Sequence, residues 1–139
     1  MKLEVGFKLP TLAKTITQEK INKYAKASGD FNPIHIDEKF AHSTQFGGTI
    51  AHGMLVGAYV SELMAMSFGF QWHKTGRLKL KFKAPVFPGD TLIILGEIKN
   101  IAEISSASEV TCTVNVSRQS GQNVITGESK VTVEGKKYD

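Results

Sequence analysis

From Gly53 to Phe68 almost every position is apolar or small, so a helix there has no polar face to turn to water. Met54, Leu55, Val56, Ala58, Tyr59, Val60, Leu63, Met64 and Met66 occupy nearly its whole circumference. Ser61 and Glu62 interrupt the stretch, and it falls short of the roughly 20 residues that a membrane span requires. Such a helix has to be buried within the protein on most of its sides. The rest of the chain must supply the cover.

The period changes after this helix. Arg77-Leu78-Lys79-Leu80-Lys81-Phe82-Lys83 alternates strictly, sending apolar side chains to one face and cations to the other. Pro88-Gly89-Asp90 marks a turn, and Thr91 to Ile101 reads as the next strand. Val110, Cys112, Val114 and Val116 line one face of another, and Val124 to Val133 supplies a last strand after the Ser120-Gly121-Gln122-Asn123 turn. Consecutive strands joined by short turns imply an antiparallel sheet. Wrapping that sheet about the apolar helix covers both apolar surfaces at once, which makes an α+β domain. The opposite sheet face and the open edge strand still need cover or pairing, so self-association is expected.

Upstream, Ile16-Thr17-Gln18-Glu19-Lys20-Ile21 signals a helix start, with Thr17 as N-cap and Ile16 positioned to staple onto Ile21. Ile21, Tyr24, Ala25 and Ser28 mark the inward face, and Gly29 ends the helix. The segment from Asp30 to about Ile50 is irregular, with room for one short helix beginning near Asp37. At 139 residues the chain fits a single domain spanning 1–139. Disorder is expected only at the ends, as from Gly135 to Asp139.

The first residues, Met1-Lys2-Leu3-Glu4-Val5-Gly6, lack the apolar core of a secretory signal, so a cytoplasmic location is expected, with no membrane association. Cys112 stands alone in a strand pattern and reads as core packing. The net charge of +4 is compatible with a polyanionic ligand, but the chain shows no nucleic-acid reading motif, and no nucleic-acid partner is expected.

Ser28-Gly29-Asp30-Phe31-Asn32-Pro33-Ile34-His35 is the most unusual stretch. Pro33 biases Asn32 towards extended geometry and blocks continuation of the preceding helix, so Asp30 and His35 sit on a bent loop. A carboxylate and an imidazole converging on one water can take its proton and return a proton elsewhere. The same residues also fit a plainer role, with Asp30 capping a turn and His35 packing against the loop. In Ile50-Ala51-His52-Gly53-Met54 a glycine opens the buried helix, where unpaired N–H groups and the helix dipole favour developing negative charge. Taken alone, Gly53 fits close packing where the chain enters the core better than an oxyanion site, and capping or core hydrogen bonding suits His52 better than catalysis. His35, His42, His52 and His73 lack compact ligand spacing, so no metal site is expected.

Three stretches in order, Gly29-Asp30-Phe31-Asn32-Pro33-Ile34-His35, Ala51-His52-Gly53-Met54 and Phe82-Lys83-Ala84-Pro85-Val86-Phe87-Pro88-Gly89-Asp90, resemble the MaoC-like, or (R)-specific, enoyl-CoA hydratases. The resemblance covers nearly the whole chain and implies a hot-dog fold, a curved antiparallel sheet around a long central helix, in at least a homodimer. It implies syn addition of water to a trans-2-enoyl thioester to give the (R)-3-hydroxyacyl product, with Asp30 and His35 activating the water and the Gly53 N–H holding the thioester oxygen. It also places Ser61 near the catalytic carboxylate, and it gives Asn32 a part in holding the loop or orienting a catalytic group.

Phe31, Phe40, Phe46, Tyr59 and Leu63 are candidates for the acyl pocket, and each is equally a candidate core residue. Arg77, Lys79, Lys81 and Lys83 fit the phosphates of coenzyme A or an acidic acyl carrier protein, or simply a solvated strand face. Coenzyme A or the carrier enters as part of the substrate, and no separate cofactor is expected. Two other readings stand beside hydration: a hot-dog acyl-CoA thioesterase, and a non-catalytic accessory subunit that binds acyl thioesters.

Overall fold

A computed structural model describes residues 1–135 of the chain. Its five strands are β1 (Leu12–Thr15), β2 (Arg77–Phe82), β3 (Thr91–Ile104), β4 (Ala107–Arg118) and β5 (Asn123–Glu134). They form one antiparallel sheet in the order β1-β3-β4-β5-β2. Five helices accompany it: α1 (Gln18–Ser28), α2 (Pro33–Ile36), α3 (Glu38–His42), α4 (Gly53–Phe68) and α5 (Phe70–Thr75). The end expected to be disordered lies outside the described residues except for Gly135, whose N–H donates to the Ser106 carbonyl at 3.1 Å.

Helix α4 packs against β2, β3, β4 and β5, so one helix covers most of the sheet. Val60, Leu63, Met64 and Phe68 are fully buried against Leu92, Ile94 and Ile98 of β3 and Val110, Cys112 and Val116 of β4. This is the hot-dog arrangement. Cys112 is buried, burial pushes its thiol up to about 11, and it therefore stays protonated and inert as a core residue. No helix among the described residues is long and apolar enough to cross a membrane.

Helix α1 begins as its sequence directs. The Thr17 hydroxyl oxygen accepts from the Lys20 N–H at 3.1 Å, Ile16 and Ile21 are both fully buried on either side of that cap, and Gly29 closes the helix at φ 78°. Ser28 departs from the expected inward face. It is exposed, and its hydroxyl donates back to the Tyr24 carbonyl at 2.7 Å, because the last turn has already passed the edge of the core.

Three further expectations need correction. Helix α4 is not covered on most sides within one chain: Met54 and Met66 are 63% and 59% exposed. The apolar face of β2 is also open, with Leu78 at 39% and Phe82 at 52% exposure. Finally, Pro88-Gly89-Asp90 does not fold β2 back onto the next strand. β2 pairs with β5, from Arg77 opposite Lys130 to Phe82 opposite Ile125, and residues 83–90 cross to reach β3 on the far side. That crossing passes the start of α4, where the Ala51 N–H donates to the Val86 carbonyl at 2.8 Å. The buried Asp90 carboxylate shapes it by accepting from the Phe87 N–H at 2.8 Å. Strand β1 and helices α2 and α5 have no counterpart in the sequence reading, which allows one short helix near Asp37 where the structure has two, since elements of four to six residues are too short to show a period.

Gly96 of β3 is fitted against Leu9 and Leu63: a methyl group there would stand 2.8 Å from Leu9 Cδ1 and 3.3 Å from Leu63 Cδ2. Leu63→Ala should therefore lower the unfolding free energy by about 2–5 kcal/mol in urea denaturation, because the helix and strand backbones leave little room for collapse.

Candidate functional site

The Asp30–His35 segment folds through its own polar side chains. Asp30 Oδ1 accepts from the Asn32 N–H, and Asn32 Oδ1 accepts from the Ile34 N–H, each at 3.1 Å. The second bond caps α2, with Pro33 at the first helical position, where its missing N–H costs nothing. Asn32 is thus the residue that shapes the loop. The single turn of α2 carries His35 back towards Asp30.

His35 is held from two sides. Its main-chain carbonyl accepts from Gln18 Nε2 at 2.8 Å, and Gln18 Oε1 accepts from the hydroxyl of buried Thr49 at 2.6 Å. Its ring Nδ1 lies 2.8 Å from the Ile50 carbonyl oxygen. A carbonyl only accepts, so Nδ1 carries the hydrogen and Nε2 is left as the free base. Gln18 and Thr49 went unnoticed in the sequence, where nothing connects positions 18, 35 and 49.

The segment after α3 returns across α2, with the Ile50 N–H donating to the Ile34 carbonyl at 3.2 Å, and brings His52 into the site. His52 is 2% exposed, and its Nε2 lies 3.0 Å from the main-chain carbonyl oxygen of Asp30. Its ring stacks on that of His35 with centroids 3.9 Å apart and planes at 27°, and Tyr24 packs at 4.8 Å. One ligand-type atom each from Asp30, His35 and His52 lies within 4.8 Å of the others. The cluster is assembled from two segments, so histidine spacing along the chain does not show it. A water at about 2.8 Å from two partners, with tetrahedral directions, spans about 4.6 Å between them. The cluster has the size for one such water.

Gly53 starts α4 directly beside this cluster. Its N–H has no carbonyl within the helix to pair with. A cavity of about 380 Å³ is lined by Asp30, His35, His52, Gly53, Met54 and Phe82. A second, apolar cavity of about 320 Å³ shares Gly53 and Phe82 with the first and is completed by residues such as Val56, Pro85, Val86 and Ile125. A methyl group on Gly53 would stand 3.1 and 3.2 Å from the Phe82 ring. Close packing and a bare N–H therefore coincide at Gly53.

The other sequence candidates divide. Phe46 and Lys83 line the apolar cavity. Leu63 is core, and Phe31 and Phe40 are 55% and 47% exposed, with Phe31 on the outer side of α1 beside Glu19 and Ile36. Ser61 does not meet Asp30 within this chain; its hydroxyl accepts from the Trp72 indole N–H at 2.9 Å. Tyr59 lies under the Lys14 ammonium at 5.4 Å, and burial is the main cause that holds its phenol above the usual range and so neutral. Arg77, Lys79 and Lys81 are exposed along β2, with Arg77 at the end away from Gly53. Phe82 is the lining residue that the sequence reading passed over, because it looked like one more apolar position in an alternating strand.

This chain has recognisable relatives. The family model described as MaoC like domain matches residues 4–120. The (R)-specific enoyl-CoA hydratase of Rhodospirillum rubrum is 35% identical over 125 residues, covering 88% of this chain and 83% of that protein. The 3-hydroxybutyryl-CoA dehydratase of Methylorubrum extorquens is 33% identical over 138 residues, covering 96% and 83%. Among solved structures, an R-hydratase from Pseudomonas aeruginosa in the unliganded form superposes with a TM-score of 0.83 at 32% identity, covering 96% of this chain and 84% of that one.

Gln18 joins three segments of the site through one amide. Gln18→Ala should cost about 1–3 kcal/mol in denaturant unfolding, since it leaves buried Thr49 and the His35 carbonyl without partners. Hydrogen exchange at the Ile50 N–H, which bridges to α2, should accelerate in the same variant.

Proposed function

This chain belongs to the MaoC-like domain family, and from that premise we propose that it catalyses reversible addition of water to trans-2-enoyl thioesters, as an (R)-specific enoyl-CoA hydratase and 3-hydroxyacyl-thioester dehydratase. The observation that carries the reading is the position of Gly53 between the two cavities. Gly53 lines both, so an acid-base pair on one side and an apolar recess on the other would meet a bound thioester beside its N–H.

In this reading one water sits between the Asp30 carboxylate and His35 Nε2. The pair withdraws a proton as the water oxygen bonds to C3 of the enoyl group. The electron pair of the double bond moves towards the thioester carbonyl, and the resulting enolate oxygen is met by the Gly53 N–H. A fixed donor aimed at such charge contributes about 3–4 kcal/mol to lowering a barrier of this kind. The withdrawn proton then passes to C2 from the same face, giving the syn product. Asn32 holds the loop on which both catalytic groups stand. The apolar cavity takes a non-polar part of the substrate, and the exposed Lys83 at its lining suits an anionic carrier, whether coenzyme A or acyl carrier protein.

The chemistry draws on acid-base groups and a polarised carbonyl, so the reading calls for no metal or redox cofactor, and hydration should survive exhaustive chelation. Loss of enoyl absorbance from crotonyl-CoA, without thiol release, is the expected signal. Asp30→Asn keeps the hydrogen-bond acceptor for the Asn32 N–H and should still lower kcat by about 10²–10⁴-fold, as should His35→Ala. Gly53→Ala should also lower kcat, by pressing on Phe82 and crowding the N–H. Thiol release without hydration would replace this reading with hydrolysis.

The reading includes a homodimer. Met54, Met66, Leu78 and Phe82 leave apolar surface open on α4 and β2, and β2 is an edge strand with one side unpaired. A second copy would cover both. Sedimentation should give a dimer for the native chain and a monomer for Leu78→Asp combined with Met66→Lys; a native monomer at micromolar concentration would refute the assembly.

A further inference from the structure

His52 is the one group of the cluster to which the proposed reaction assigns no task. It touches both groups that have one. Its Nε2 faces the main-chain carbonyl of Asp30 at 3.0 Å, and since that oxygen only accepts, Nε2 carries a hydrogen. Its Nδ1 is buried with no hydrogen-bond partner. A proton placed there would be a buried donor without an acceptor, so the ring is held as the neutral Nε2–H tautomer. The face of that ring supports His35 at 3.9 Å, and the Tyr24 ring packs against it at 4.8 Å, tilted by 56°. Asp30, His35 and Tyr24 are the titratable groups packed about it.

We propose that His52 is a positioning residue for the hydration site: its Nε2–H fixes Asp30 through the main chain, its ring face fixes the imidazole of His35, and the two catalytic groups are thereby aimed at one water. The inference rests on the reading above. It explains why a histidine, and not a plain apolar residue, occupies a position where one ring nitrogen makes no bond at all: the other nitrogen and the ring plane are what the site needs.

Three substitutions in the full chain separate this role from simple core filling. Phe at position 52 keeps a ring and loses the donor. Gln places an amide N–H where Nε2 stood, whereas Asn places it nearer Nδ1 and short of the carbonyl. With crotonyl-CoA, His52→Phe and His52→Asn should lower kcat about 10- to 100-fold while KM stays within about twofold, as expected for misaimed catalytic groups that still bind substrate. His52→Gln should regain most of the lost kcat, whatever the three variants do to the thermal midpoint. Equal kcat in folded Phe, Asn and Gln variants would overturn the proposal, as would a loss confined to KM. Inactivity of the native chain would instead strike the proposed reaction. The proposal then stands or falls on ring nitrogen NMR at neutral pH, which should show His52 as the neutral Nε2–H tautomer; an Nδ1–H or doubly protonated ring would overturn it.

Discussion

A helix with no polar face cannot lie on a surface, and the burial of α4 is the constraint on which the rest of this structure depends. Four strands pack against it, and its long apolar side chains complete the core. Burying a helix in this way also decides where its ends emerge. The start of α4 comes out beside the Asp30–His35 loop, so the donor end of a helix, with its unpaired N–H, faces the two groups best suited to moving a proton. Fold and site are in this sense one arrangement. The same apolar helix that organises the sheet brings Gly53 to the cavity lined by Asp30 and His35.

The loop opposite is stiff for a different reason. One polar atom of each of its key side chains is matched by a nearby main-chain group: Asp30 with Asn32, Asn32 with Ile34, His35 with Ile50, and His52 with Asp30. Main-chain carbonyls are useful partners because they accept and never donate. Each bond to a histidine therefore settles which ring nitrogen carries the hydrogen, and in His35 it leaves Nε2 free. A loop built from side-chain contacts alone would leave that choice open. The result is a base of defined tautomer on a support of defined shape.

The surface that α4 and β2 leave uncovered gives the isolated chain an incomplete appearance. Apolar side chains at Met54, Met66, Leu78 and Phe82 meet solvent in a protein whose interior is otherwise well filled. Phe82 belongs to this surface and to both cavities, so whatever covers the surface also bears on the site. Ser61 and Tyr59, which stand apart from Asp30 within one chain, lie on the same helix.

Local periodicity carried the reading of the fold. The unbroken apolar run of α4, the alternation in β2 to β5, the Thr17 cap and the Gly29 stop are all near-neighbour patterns, and the helix and strand boundaries follow them closely. The candidate motif was legible for the same reason, since Asp30, Asn32 and His35 stand close together along the chain. What the sequence could not show was anything made by segments meeting from a distance. Gln18 and Thr49 clamp His35, His52 joins a cluster that histidine spacing seemed to rule out, and Phe82 closes a cavity instead of filling a core. β2 crosses to the far edge of the sheet although a turn motif follows it. Those contacts depend on how far each buried face must travel to be covered, and that is a property of packing in three dimensions which residue order along the chain does not contain.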